Sequence, residues 1–120
     1  MPKVLTSADI LAAQDIPREA VEVPEWGGTV YVRAMDGQTL SRWENELVAG
    51  GGSAARVDLS NAYARLAVRT VCDEDGQLLF SERQVDELGR KNGKILQTLA
   101  QVALRLSGLT PDANAQLAKN

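Results

Sequence analysis

Residues 19–33 read EAVEVPEWGGTVYVR, and the fold class follows from how this stretch divides. Its first five and last five residues alternate apolar with polar. That places Val21 with Val23, and Val30 with Val32, on one face of two extended segments. Between them PEWGG supplies a proline, which fixes φ, and two adjacent glycines, which accept left-handed backbone. The three parts together predict a β-hairpin with Trp26 near its tip.

Working outward, Ser7 or Thr6 caps a short helix that carries Ile10, Leu11 and Ala12, and Pro17 limits it downstream. On the other side Asp36 and Gly37 break the second strand. Leu40, Trp43 and Leu47 then recur at the spacing of one helix face over residues 38–49. Gly50, Gly51, Gly52 and Ser53 end that helix in a flexible connection. A second helix starts near Asp58 or Ser60 and runs to about residue 71, with Leu59, Tyr63, Leu66 and Thr70 as its buried stripe.

CDEDGQLLF, residues 72–80, places an Asp75–Gly76 turn between two short extended pieces. Ser81 and Gln84 have capping-box spacing ahead of Val85 and Leu88, and Gly89 stops that short helix. The last long helix, residues 94–107, aligns Ile95, Leu99, Val102 and Leu106, with Leu96 and Ala103 widening the stripe. Gly108 closes it. Thr110 and Pro111 start a further short helix, and ANAQLAKN has little to bury. The expectation is an α+β fold, predominantly helical, with an N-terminal β-hairpin followed by a small helical bundle. Residues 1–109 form the single domain and residues 110–120 a tail.

Composition limits the function. A chain of 120 residues is one domain by length and buries roughly 65% of the surface its unfolded form exposes. Aromatics make up only 4%, so the core is built from Leu, Val, Ile and Ala. Residues 1–60 carry five basic and nine acidic side chains (−4), and residues 61–120 carry eight and seven (+1). Neither half has the concentrated positive field that a phosphate backbone requires, so no nucleic-acid partner is expected. No stretch reaches the ~18 apolar residues of a membrane span, nor does the N-terminus hold a signal peptide's apolar run. With one cysteine there is no intrachain disulfide, and the expected compartment is the cytosol.

Catalytic and metal chemistry find no purchase. Histidine is absent, which removes the commonest general base and metal ligand. Cys72 adjoins Asp73, Glu74 and Asp75, whose charge disfavours a thiolate; it reads as a small packed residue at a helix end. The same three acids fail the spacing of a calcium loop, because Gly76 comes too early, and read as a solvated turn. The glycines at 50–52 lack a phosphate-loop pattern. Arg90, Lys91 and Lys94 read as a solvated helix junction. Trp43 lies on an apolar stripe and belongs to the core. For Trp26 two roles stay open: a contact residue at the hairpin tip, or a lid folded back over the hairpin. No enzyme, cofactor or metal is expected.

The opening SADILAAQD (7–15), the segment VEVPEWGGTVYVRAMDG (21–37) and RLAVRTVCDEDGQLLFSERQVDELG (65–89) together resemble the tail assembly chaperones of long-tailed, siphovirus-type bacteriophages and prophages. VPEWGG followed by VYVR is the most specific part, and the likeness spans residues 7–109. It implies a non-structural protein of the host cytoplasm, absent from the mature virion, that coats the tape measure protein and keeps it soluble. The tape measure is released as tail-tube subunits polymerise around it. The resemblance also implies homo-oligomers and, through programmed ribosomal frameshifting, a longer product that recruits the tail-tube protein. Ala118, Lys119 and Asn120 are compatible with the slippery codons GCA AAA AAC. The loop at residues 50–56 carries no recognition feature. Trp26 and Tyr31 on the hairpin are the expected partner contacts. The competing readings are a small non-catalytic adaptor and a structural head–tail or tail-terminator protein.

Overall fold

The computed structural model describes residues 3–50 and 61–109, and the side chains of residues 47–50 lie outside that description. Its elements are helix α1 (Ser7–Ala12), strand β1 (Arg18–Val23), a 3-10 turn (Pro24–Trp26), β2 (Gly28–Arg33), α2 (Gly37–Gly50), α3 (Ala62–Thr70), β3 (Val71–Cys72), a second 3-10 turn (Glu82–Gln84), α4 (Val85–Leu88) and α5 (Gly93–Leu106). The α+β class, mainly helical with an N-terminal hairpin, is the one the sequence predicts.

The hairpin pairs Val21 with Val30 and Val23 with Gly28, so the alternating valines share the inner face. Pro24 occupies the first position of the 3-10 turn. Gly27 adopts φ 79°, a left-handed conformation that a β-carbon would strain, while donating its N–H to the Pro24 carbonyl at 3.0 Å. β3 adds antiparallel to β2, with Val71 opposite Val32, and gives the order β1-β2-β3.

Two apolar clusters fill the interior. In one, Val23, Val32 and Val71 of the sheet meet Ala64, Ala67 and Val68 of α3, Leu88 of α4, and Ile95, Leu96, Leu99 and Ala103 of α5. In the other, Met35, Trp43, Leu66 and Ala100 pack with Leu40, Ala62, Leu104 and Leu109. Helices α3 and α5 therefore each face both clusters. Ala67, Ala100 and Ala103 are wholly buried where these helices meet, and their small side chains allow close approach.

This double burial corrects the expected stripe on α3. Tyr63 is 46% exposed, whereas Ala64, Ala67 and Val68, absent from the predicted stripe, are buried beside Leu66 and Thr70. A helix enclosed on two sides has no single apolar stripe to read. Trp43 is core, as its spacing predicts; the side chain of Leu47 lies outside the described residues. So do Asp58, Leu59 and Ser60, the glycine–serine connection at 51–53, and the proposed helix and tail from Thr110 onward.

Helix ends are secured by named groups. Thr6 and Asp9 exchange backbone-to-side-chain bonds of 3.0 and 3.2 Å at α1. Asp36, expected only to break the strand, accepts the Thr39 N–H at 2.8 Å and starts α2. Asn92 accepts from Lys94 and Ile95 at α5. The end of α5 is a Schellman motif. The N–H of Leu109 bonds the Leu104 carbonyl at 2.7 Å, that of Gly108 bonds Arg105 at 3.1 Å, and Gly108 sits at φ 82°.

Arg69 clamps three elements together. Its guanidinium, 8% exposed, donates to both oxygens of Glu46 on α2 at 2.8 and 2.9 Å, and through Nε to Glu82 at 2.8 Å. Arg42 shares the same Glu82 oxygen at 3.0 Å.

Candidate partner-binding surface

The titratable groups do not assemble a reactive site among the described residues. Cys72 is buried in β3, and desolvation pushes its thiol up, against partial relief from Arg33 and Arg18. It is the small packed residue that the sequence predicts. Asp73 spends one carboxylate oxygen on the amides of Asp75 and Gln77, at 2.8 and 3.0 Å. That closes the acidic turn around Gly76, φ 89°, as a hydrogen-bonded hairpin end. No group of three or more potential metal ligands occurs among the described residues, and no described helix is long and apolar enough to cross a membrane. Arg90, Lys91 and Lys94 are exposed around the start of α5.

Two apolar surfaces stand out among the described residues. After the Pro24–Trp26 turn, the Trp26 ring stands 37% exposed over a groove lined by Phe80, Gln84, Glu87, Leu88 and Lys91, with a volume of about 450 Å³. Leu88 and Phe80 belong to the sheet-side core, so the groove floor is the outer layer of that core and is held rigid by it. Trp26 is neither fully folded over the core nor fully exposed: it lines the groove beside Phe80 and Leu88 and keeps part of its surface in solvent. Glu87 and Lys91, one helical turn apart in sequence, place one charge of each sign on the rim. Phe80 also lines a neighbouring depression with Leu78, which is exposed like Leu79. The apolar surface therefore extends beyond the groove.

Tyr31 is not brought to this groove. It pairs across the strands with Ala20 and Cys72, on the face of the sheet opposite Val30 and Val32, and is half-buried there. The sequence singled out Trp26 but not its companions. Phe80 and Leu88 come from a distant segment, and the alternation around them signals only a turn and a short helix.

A second apolar surface belongs to the N-terminal arm. α1 buries none of its residues, and Val4 (91%), Leu5 (57%), Ile10 (56%) and Leu11 (85%) are all exposed. Lys3 lies 3.2 Å from Asp9 on this arm, and the bonds from Thr6 hold the Asp9 carboxyl below the usual range.

The described residues thus form an α+β body with an apolar groove beside Trp26 and an N-terminal arm of exposed apolar side chains. Its class is given by the family model for phage tail assembly chaperones, which matches residues 8–119. The chain belongs to that family. Among solved structures it is similar to the tail assembly chaperone of bacteriophage HK97, at 26% identity over 76% of this chain and 85% of that one, with a TM-score of 0.59. No curated protein matches it in sequence. Of the readings the sequence left open, the tail assembly chaperone is the one that stands.

Proposed function

We propose that this chaperone binds the tape measure protein through the Trp26 groove and holds it soluble in the host cytoplasm until the tail tube polymerises. The observation that carries this reading is the open apolar groove of Trp26, Phe80 and Leu88, edged by Glu87 and Lys91. An unassembled tape measure presents apolar helix faces, and such a face seats its anchors in a rigid groove of this kind while the rim charges fix its direction. Binding and release need no catalysis. Residues 1–109 act as the folded unit, several copies coat one tape measure, and a longer frameshifted product brings the tail-tube protein. Tyr31, on the sheet's other face, is left for a second contact. The chaperone departs before the virion is complete.

Co-expression with the tape measure protein of the same gene cluster, followed by size-exclusion chromatography, tests the reading. The tape measure is expected to be insoluble alone and to co-elute with this protein as a large complex. Recovery of a soluble tape measure with Trp26→Ala at wild-type yield would remove the groove from the account. A tape measure that stays insoluble beside the wild-type chaperone would remove the function.

A further inference from the structure

The hairpin leaves one edge of the sheet open. β1 stands first in the order β1-β2-β3, and its register with β2 runs unbroken from Arg18 opposite Arg33 to Val23 opposite Gly28. The Ala34 N–H bonds the Pro17 carbonyl at 2.9 Å, so the antiparallel alternation turns the backbone groups of Glu19, Val21 and Val23 toward β2. Those of Arg18, Ala20 and Glu22 point away from the sheet, and nothing among the described residues bonds them. Sheets blunt such an edge with a bulge, a proline, a covering element or charge. Among the described residues, the six of β1 have only the charges of Arg18, Glu19 and Glu22.

Helix α5 lies along the same strand on the inner face. Arg105, near its end, donates to Glu19 at 2.6 Å, while Ile95, Thr98 and Leu99 from its first half line a cavity of about 270 Å³ with Val21 and Val23. The helix therefore runs antiparallel to β1. The rise from Ile95 to Arg105, about 15 Å, matches the span of about 13 Å from Glu19 to Val23. A free strand edge and an apolar trough between strand and helix thus stand side by side.

We propose that this edge takes an extended segment of a partner protein as a further strand, its alternate side chains turned into the trough. A helix cannot serve, because its N–H and C=O groups are already bonded within itself. An extended chain answers those of Ala20 and Glu22. Its apolar residues pack against Val21, Val23 and Ile95. Charge selects the segment further. Glu22 and Glu25 stand at the rim against one cation, Lys94, and neither glutamate joins an ion pair among the described residues. The segment therefore alternates apolar with polar residues and carries lysine or arginine among the polar ones. This site shares no lining residue with the Trp26 groove and stands independently of the client assigned there.

The test pans a displayed library of random seven-residue peptides on the purified wild-type protein, with counter-selection on Ala20→Pro. The N–H at position 20 points outward, so proline there costs no bond to β2 while it removes an edge donor and obstructs an added strand. The selected peptides should alternate apolar with polar residues and be enriched in lysine and arginine. The tightest of them, tagged with fluorescein, is then titrated by anisotropy. N-methylation of its alternate amides on the side that meets β1 should weaken binding on the order of tenfold or more, as expected for losing two hydrogen bonds. Glu22→Lys should weaken it as well. Tryptophan emission reports whether each variant is folded. Should Ala20→Pro fail that control, Thr98→Arg, on the exposed side of α5, blocks the trough in its place. Panning that yields no peptide preferring wild type overturns the proposal, as do selected peptides with helical spacing or acidic charge, or binding indifferent to N-methylation. A wild-type protein that sediments as an oligomer without peptide and turns monomeric with Ala20→Pro would give the edge to a second copy and overturn the assigned occupant.

Discussion

Glu46→Gln tests the clamp that joins α2 to the rest of the protein. The substitution keeps the shape of the side chain and removes its charge. In the native protein Glu46 accepts two bonds from Arg69, which is 8% exposed, while Glu46 itself keeps 31% of its side-chain surface. With glutamine, one bond is lost outright and an amide NH₂ group turns toward a cation that has only Glu82 left. Breaking a buried ion pair by removing one partner costs about 3–5 kcal/mol, and the partial exposure of Glu46 reduces this to about 2 kcal/mol. Urea unfolding at pH 7, followed by tryptophan emission, to which the buried Trp43 on α2 contributes, should show that loss with an unchanged denaturant slope.

Acid supplies the internal control. The bond from Arg69 holds the Glu46 carboxyl below its ordinary value of 4.5. A carboxylate with a depressed native pKa contributes stability that is present above its unfolded pKa and lost as pH falls through the native one. The gap between wild type and Glu46→Gln should therefore close as pH drops below about 4.5 toward 3. A gap under about 0.5 kcal/mol at pH 7, or one that stays constant down to pH 3, would refute the reasoning.

Three other perturbations follow. A β-carbon on Gly89 would stand 2.5 Å from Asn61 Oδ1. Gly89→Ala should therefore cost about 1–2 kcal/mol in the same assay, and Asn61→Gly, which suits the φ of 54° at that position, should restore much of it. Asn92→Ala removes the acceptor for two N–H groups at the start of α5 and should cost about 1 kcal/mol in thermal or urea unfolding. The buried, upward-shifted Cys72 thiol should react with iodoacetamide at pH 8 only at the rate of unfolding, so urea that populates the unfolded state should accelerate labelling in step.

The periodic parts of this chain were legible because their burial is one-sided. The valine alternation gave the hairpin and the inner face of each strand, and Leu40 with Trp43 gave the inner face of α2. Where burial is two-sided the pattern carried less. Tyr63 fell on the predicted stripe yet faces solvent, and Ala100, small and unremarkable in sequence, is wholly buried between α3 and α5. The clamp was invisible for a different reason. Arg69, Glu46 and Glu82 come from three segments, and nothing local distinguishes an arginine that will be buried from one that will be solvated. The candidate site shows the same division. Trp26 stood out beside its glycines, but its groove is completed by Phe80 and Leu88, which only the packing of the sheet-side core brings near. The arm was read as a capped helix, and that is its structure. Its lack of any buried face is a tertiary fact with no local signal.

The central claim is that the Trp26 groove receives the tape measure during tail assembly. A photo-crosslinking amino acid placed at Gln84, on the groove wall, addresses that contact directly in infected cells. The same group at Gln38, exposed at the start of α2, serves as the control. The account predicts a tape measure adduct from position 84 and none from position 38. Tape measure captured at 38 but not at 84, or by neither while tail assembly proceeds normally, would contradict it.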